Sequence, residues 1–389
     1  MPKHLSRHTS LLVVSDTAMY QKDNQVVAFE PVVRELEAIL PLFTHITWIG
    51  FNRPDKIGRF PFKEITSKRI HAILLDYVGG SHPTDKFDIV KNYPIMYRVI
   101  DAEIKKHPII HSRAPSNPAY ITMWLSKKYS NKRFWFKYAG NWTQSAPFFY
   151  TLQRNKLKRL GSNSVVTVNG RWKHQPSNVI PFDNPCLDEI DRESGKNCID
   201  SKTLEQETNY CFVGGLNENK GILLLLEAFN TLKTKGFKGS LHIIGDGPLR
   251  EQVQQNVDAS FKNIILHGAL SKAEVNERYK QCHYLILPSK SEGFPKVISE
   301  AMNFGCIPIV SDVSCIDQYI QDGKNGFLIK PLSVPKLQQC LVKTKTITQG
   351  AFKKTIEYNY ELAGRFTYSH YNERIQQDIL NHKTNRSSG

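Results

Sequence analysis

The stretch Leu287–Asp312, LPSKSEGFPKVISEAMNFGCIPIVSD, decides how this 389-residue chain folds. The residues running into it, His283 to Leu287, form an apolar run that predicts a strand. A turn follows at Ser291-Glu-Gly-Phe-Pro295. A helix is expected over Pro295 to Phe304 and a second apolar strand over Ile307 to Ser311. Unbroken apolar runs suit strands buried on both faces of a parallel sheet, and strand–helix–strand is the unit that builds one. Glu292 closes the first strand and turn. Glu300 lies eight residues on, about two helical turns, so both carboxylates can share one helix side. Gly293 lets backbone approach a ligand. The N–H groups of Phe294 and Lys296 stand at the helix start, where unpaired donors and the dipole attract an anion such as a diphosphate. Pro295, at a first-turn position, costs no needed donor. Carboxylates accept hydrogen bonds from sugar hydroxyls. Two surface glutamates on an amphipathic helix are the bland alternative. The apolar strand before the turn and the small Ala301 weigh against it.

Working outward, the same alternation fills the second half. Strands are expected at Asn209–Val213, Ser240–Ile244, Ile264–His267 and Gly326–Ile329, with helices at Gly221–Lys233, Leu249–Ala259, Ala273–Gln281 and Ile316–Ile320. The first half alternates too. Strands are expected at Ser10–Ser15, His45–Ile49, Ile70–Leu75, Pro108–His111, Arg133–Lys137, Ser164–Val168 and Ser177–Pro181, with helices at Phe29–Leu40, Asn92–Lys105 and Ala119–Tyr129. Polar Asn184–Thr208, weakly periodic, marks the entry to a second domain. The expectation is therefore two doubly wound α/β domains, 1–183 and 184–362, facing each other across a cleft. Residues 363–389 form a C-terminal helix returning to the first domain, then a polar tail, Lys383–Gly389. Clefts between α/β domains are where small ligands bind.

Bulk properties narrow the function classes. Hydrophobic residues make up 40% and charged residues 23%, ordinary for a soluble globular protein. A net charge of +16 favours anionic partners without choosing among them. The seven cysteines, Cys186, Cys198, Cys211, Cys282, Cys306, Cys315 and Cys340, show no CxxC pair and no disulfide framework, which suits the cytoplasm. The basic start MPKHLSRHTSLLVVSD has an apolar run too short for a signal peptide, and no stretch approaches the ~20 residues of a membrane span. The sequons at Asn141 and Asn385 are then accidental.

Three further segments add chemistry. Phe212-Val-Gly-Gly-Leu-Asn-Glu-Asn-Lys-Gly221 runs from a strand into a glycine-rich loop, Gly214 and Gly215, with Lys220 at a helix start. Backbone nest and cation meet a phosphate that way. Ile244-Gly-Asp-Gly-Pro248 puts Gly245 and Asp246 at the crest of a turn after a strand. In His267-Gly-Ala-Leu-Ser-Lys-Ala-Glu274, Ser271 and Glu274 form a capping box, while Gly268 can face a base. In this order and spacing VGGLNENKG, IIGDGP, LHGALSKAEV, LPSKSEGFPKVISEAMNFGCIPIVSD and DGKNGFLI resemble the C-terminal half of retaining GT-B glycosyltransferases of the glycosyl transferases group 1 type, many of them bacterial envelope enzymes. The resemblance spans Tyr210 to about Leu332.

It implies a UDP- or GDP-linked sugar as donor substrate, no cofactor, no metal, and retention at the anomeric carbon. Lys220 then meets the diphosphate, Glu292 the sugar hydroxyls and Glu300 the ribose. Gly293 and Phe294 run along sugar and phosphate, and Gly245 and Asp246 flank the base. Two features depart from the family: Gly215 stands where an arginine is usual, leaving Lys220 alone or helped by Lys296, and Ser15–Tyr20 replaces the usual paired glycines in a loop expected to face the acceptor. In the first half, Ile109-Ile-His-Ser-Arg-Ala-Pro115 resembles the family's strand-end loop, making His111 and Arg113 catalytic candidates. Arg113 would stabilise charge on the leaving diphosphate. A nucleotide-sugar epimerase or phosphorylase of the same fold, or a non-catalytic scaffold, is the alternative.

From Trp124 to Arg159, cations alternate with aromatic rings. That mixture suits an anionic membrane surface, the inner face of the plasma membrane, or a lipid-linked acceptor. It also suits single-stranded nucleic acid, but the sugar-nucleotide motifs argue against that partner. A core strand among solvated lysines is the plain alternative.

Overall fold

A computed structural model of the protein describes residues 9–58, 61–77, 83–144, 147–204, 207–259 and 263–381, with side chains left aside over 83–91. The start MPKHLSRH, the tail Lys383–Gly389 and the sequon at Asn385 lie outside the described residues. The chain divides into two compact units, Met1–Phe182 with Tyr371–Gly389, and Asp183–His370.

The first unit runs β1 (Leu11–Lys22), β2 (Gln25–Phe29), α1 (Glu30–Ile39), β3 (Ile46–Asn52), β4 (Phe62–Glu64), β5 (Ile70–Asp76), α2 (Pro83–Lys106), β6 (Ile109–Ala114), α3 (Asn117–Lys128), β7 (Arg133–Tyr138), α4 (Phe148–Leu157), β8 (Ser164–Val168) and β9 (Val179–Pro181). Strands β5-β3-β1-β6-β7-β8-β9 lie parallel, and β2 and β4 add an antiparallel ribbon on the end of β1. The apolar run Leu11–Val14 is fully buried between β3 and β6, as a central parallel strand should be. Ser15–Tyr20 is not the expected loop. After an irregularity between Val14 and Ala18 the strand continues and turns back through Asp23, which holds φ at 51°. Residues of one sheet face thus feed a second core, which Tyr371, Ile375 and Ile379 close when the chain returns.

The second unit runs α5 (Glu189–Ser201), β10 (Asn209–Val213), α6 (Ile222–Thr234), β11 (Ser240–Ile244), α7 (Arg250–Asp258), β12 (Ile264–Gly268), α8 (Lys272–Gln281), β13 (Tyr284–Leu287), α9 (Lys296–Asn303), β14 (Ile307–Ser311), β15 (Phe327–Ile329), α10 (Val334–Thr344) and α11 (Gln349–Ala363), and within α12 (Tyr368–Arg374) the chain passes back to the first unit. Its six strands lie in the order β12-β11-β10-β13-β14-β15, with every pairing parallel. The order reverses direction between β10 and β13, and the crevice at the carboxyl ends there is where such sheets bind ligands. The polar segment Asn184–Thr208 contains α5, begun by an Asp188–Asp191 capping box. The helix expected at Ile316–Ile320 is a 3-10 turn, Ile316–Gln318.

Candidate functional site

In the second unit the glycine-rich segments meet at the carboxyl ends of β10, β11 and β12. Gly214 N–H donates to the Ile244 carbonyl at 3.0 Å, Gly245 N–H to Gly268 at 2.8 Å and Leu216 N–H to Asp246 at 2.9 Å. Gly245 holds φ at 140°, and a Cβ there would lie 1.9 Å from the Gly214 oxygen, so only glycine lets these loops close. Asn217 caps the next turn by accepting from Lys220 N–H at 3.1 Å, and Gly221 enters α6 in the left-handed conformation, φ 70°.

That loop is laced to the Ser-Glu-Gly-Phe-Pro turn after β13. Lys290 N–H donates to the Asn219 carbonyl at 2.7 Å, and Asn219 Nδ2 to the Ser291 carbonyl at 2.9 Å. Lys220 Nζ lies 2.5 Å from Glu292 Oε1, with the lysine 23% and the glutamate 11% exposed. The charge of Lys220 is thus held beside the carboxylate, and both groups stay reachable.

Several expectations need correction. Helix α9 starts at Lys296, so Pro295 is its N-cap rather than a first-turn residue. Glu292 precedes the helix and Glu300 sits within it, so the two do not share a helix side. The Phe294 ring is core: it stacks on Phe366 at 4.9 Å and tilts against Tyr319 at 4.5 Å, leaving only its backbone to line a site. Gly293 is pinned through its carbonyl, which accepts from the Cys315 thiol at 3.5 Å. At Gly215 an added Cβ would meet Asn217 Nδ2 at 2.9 Å, so a side chain there needs only the end of the Asn217 side chain to shift. A cation missed in the sequence stands nearby: Arg250 pairs with Asp246 at 3.0 Å, and its Nη1 lies 3.3 Å from where a Cβ on Gly268 would be. Its signal is the four-residue step from Asp246 into α7. Ser271 and Glu274 form the expected capping box.

The first-unit candidates sit deeper than expected. His111 is fully buried, stacked on Trp135 at 3.8 Å, with Nδ1 3.3 Å from the Trp135 carbonyl. Burial, then the charge of Arg113, pushes it down to about 3, so the ring is neutral at pH 7. Arg113 Nη1 donates to Glu35 Oε1 at 2.9 Å; Lys137 Nζ reaches the same oxygen at 2.8 Å and Tyr371 O–H at 3.1 Å. Burial alone lowers Arg113, and the charge of Glu35 reverses the sign and holds it above its ordinary value. Arg113 thus serves a buried carboxylate in this structure. Asp16, at the irregularity in β1, keeps an exposed side chain; the surrounding protein desolvates it enough to raise it against the opposing pull of its backbone hydrogen bond and Arg113. Its signal was a charge ending the run LLVVS at a strand's carboxyl end.

The basic aromatic stretch divides in two. Phe134, Trp135, Phe136, Tyr138 and Trp142 are core, Lys137 is buried on Glu35, and Arg154 donates to the carbonyls of Trp142 and Gln144 at 2.9 and 2.7 Å. What faces outward is smaller: Phe148 (84% exposed), Trp124 (52%) and Tyr150, with Lys156 Nζ 3.2 Å from the Trp124 ring centroid. No helix among the described residues is long and apolar enough to cross a membrane, and no three of their His, Cys, Asp and Glu gather as metal ligands.

Comparison with known proteins agrees with this geometry. Residues 198–342 match the family model described as glycosyl transferases group 1. Similar curated proteins include an uncharacterized glycosyltransferase of Methanocaldococcus jannaschii, 28% identical over 177 residues, 44% of this chain and 48% of that protein. Another is the lipopolysaccharide 1,2-N-acetylglucosaminetransferase of Salmonella typhimurium, 31% identical over 140 residues, 33% of this chain and 37% of that one. The chain thus spans under half the length of these relatives. Among solved structures, sucrose-phosphate synthase from Thermosynechococcus elongatus superposes with a TM-score of 0.69 at 16% identity, over 96% of this chain and 98% of that one. Anabaena HepE in complex with UDP and glucose gives 0.66 at 13%, over 96% and 100%. The two Rossmann-like units share the GT-B fold of these neighbours, and the match to the group 1 model lies within residues 198–342.

Proposed function

We propose that the chain transfers a glycosyl unit from a UDP- or GDP-linked sugar to a hydroxyl of a glycan or lipid-linked acceptor, with retention of anomeric configuration and without a metal. The observation that carries this is the Lys220–Glu292 pair at the carboxyl end of a parallel sheet, where the glycine-rich loop and the turn before α9 are bonded together. A cation for the diphosphate and a carboxylate for sugar hydroxyls sit side by side there. In this reading the donor phosphates take over Lys220, and Glu292 is released to the sugar. The first-turn N–H groups of α9 and the dipole support the diphosphate, since Pro295 offers no side-chain cap. Glu300 takes the ribose, and Arg250 with Lys296 supplies the charge that Gly215 does not. The Anabaena neighbour's complex with UDP and glucose favours a donor of that kind.

The test is a thermal-shift panel of nucleotide sugars followed by product analysis. Binding to the native state alone raises apparent stability, by about 2.7 kcal/mol at a hundredfold excess over Kd. Transfer that continues in EDTA, with the anomeric configuration kept, is expected. No stabilisation by any nucleotide sugar would overturn the reading; an epimerised donor in place of a glycosylated product would favour the epimerase alternative.

The outward patch of Trp124, Phe148 and Tyr150 with Lys127 and Lys156 supports a peripheral site on the cytoplasmic face of an anionic membrane. Each cation near such a surface contributes about 1 kcal/mol, screened by salt. Co-sedimentation with anionic but not neutral liposomes, reversed by high salt, is expected; equal binding to both would sink the idea.

A further inference from the structure

A pocket lies wholly in the first unit, at the carboxyl ends of β7 and β8, and none of the proposed donor residues touches it. Its volume is about 240 Å³, less than the roughly 300 Å³ at which pockets for drug-sized ligands begin, so it suits one unit of a larger ligand. Its walls come from the loop after β7, the inner edge of α4 and the loop after β8.

The pocket is built rather than incidental. Arg154 gathers the first loop by donating to the Trp142 and Gln144 carbonyls, and Asn141 Oδ1 accepts from the N–H groups of Thr143 and Gln144 at 3.1 and 3.0 Å. Trp172 Nε1 donates to the Asn169 carbonyl at 2.9 Å, which fixes the second loop and sets its indole in the wall. His174 holds φ at 57°, an unusual conformation for a side-chain-bearing residue that is costly unless its surroundings impose it.

Its chemistry is one-sided. Lys158, Lys173 and His174 line it beside Arg154, and none of the described residues lining it is a carboxylate. The partly exposed indole of Trp172 supplies apolar surface, backed by the buried Trp142, whose ring centroid lies 5.5 Å from Lys158 Nζ. Gln175 also lines it, and its Oε1 is buried without a hydrogen-bond partner among the described residues. A buried acceptor left unsatisfied asks for a donor from outside.

We infer that this pocket binds a negatively charged sugar unit. The pyranose packs on the Trp172 indole, its carboxylate, sulfate or phosphate pairs with Lys158 and Lys173, and a ring hydroxyl donates to Gln175 Oε1. The inference rests on the proposed glycosyltransferase reading only in taking that unit to be part of the acceptor.

The experiment uses the full chain and its intrinsic tryptophan fluorescence, titrated with glucuronate-terminated and sulfated oligosaccharides and with their neutral counterparts. Inorganic phosphate, single-stranded DNA and anionic vesicles are the other arms. A charged oligosaccharide is expected to bind at least about tenfold tighter than its neutral counterpart. The double variant Lys158→Glu with Lys173→Glu, at exposed positions, should erase that preference, and Gln175→Leu should weaken binding about tenfold. UDP binding, read by thermal shift, should be unchanged in both variants. Equal binding of charged and neutral saccharides, no binding of either, an unaltered double variant, or a response to phosphate, DNA or vesicles alone would each overturn the inference. Charged-saccharide binding without sugar transfer would sink the proposed function and leave this site standing.

Discussion

At the scale of single residues, two carboxylates with cation partners have different meanings. Glu292 is 11% exposed and meets one lysine at the rim of a loop, whereas Glu35 is 1% exposed and meets two cations and a tyrosine hydroxyl. A pair near the surface adds little stability, about 1 kcal/mol or less. Glu292→Gln should therefore shift the unfolding midpoint by only a few degrees while lowering turnover by roughly a hundredfold or more. Steady-state kinetics beside calorimetry checks this, and a variant with full turnover would remove Glu292 from the site. Glu35→Leu should behave the other way. It strands Arg113 and Lys137 in the interior, and removing one partner of a buried pair costs about 3–5 kcal/mol. A urea titration is the measurement; a loss below about 1 kcal/mol would show that the cations rearrange to solvent. Glu35 is not legible from sequence alone. It lies among the apolar positions Val32, Val33 and Leu36 of one helix, and its partners come from β6, β7 and the returning C-terminal segment.

Elements that announced themselves share one trait: their apolar pattern was long or unbroken. The alternation from β10 to β15 was legible because buried parallel strands read as continuous apolar runs, and β14 was located to the residue at Ile307–Ser311. Helix α5 was hidden, since in EIDRESGKNCIDS only Asp191, Gly195 and Ile199 are buried and none of the three is a strong apolar signal except the last. The β1–β2 ribbon was hidden because the charge at Asp16 and the Asp23-Asn24 turn interrupt it, and strand pairing is not local information. Of the candidate site, the glycine-rich loop and the turn before α9 were legible as motifs, but their coupling through Asn219 and Lys220 belongs to tertiary structure. That coupling is testable at Gly221, whose φ is 70° and where an added Cβ would sit 2.1 Å from the Pro288 oxygen. Gly221→Ala should cost more than the ~1 kcal/mol of a strained backbone alone, because the loop must move off the strand end. Donor affinity should fall with it, since Lys220 is carried away from Glu292. Thermal shift with the donor nucleotide reads both effects, and normal affinity in a destabilised variant would show that the two loops act independently.

On the scale of the molecule, acid should unfold this protein earlier than its carboxylates alone require. His107 and His242 are pushed down to about 4 and His111 to about 3, each chiefly by burial, and His267 is lowered by burial and then by Arg278. Two of them belong to the first unit and two to the second. A histidine lowered on folding binds its proton more readily in the unfolded chain, so its contribution to stability is complete above the unfolded value of 6.5 and is lost as pH falls toward the folded value. In the window from 6.5 to about 4 the unfolded chain takes up protons that the native state refuses, and ∂ΔG/∂pH is positive. Carboxylates act lower: the ordinary aspartate value is 3.8, and Asp101 is held down at about 2 by Lys128 and Lys105 despite burial, so its contribution persists through the window. Asp16 works against the trend, because its raised value makes the native state the better proton acceptor near its own titration. The net charge of +16 adds self-repulsion as histidines protonate, in the same direction. Calorimetry from pH 8 to pH 4 should show a flat plateau in the midpoint, then a steady fall beginning near 6.5, the loss of stability amounting to about a few kcal/mol by pH 4. His111→Gln keeps a neutral group against Trp135 and removes the titration, so its curve should start lower and decline less. A midpoint that stays level to pH 4.5 would mean that the histidines are wetter in solution than their packing against Trp135, His45 and each other implies.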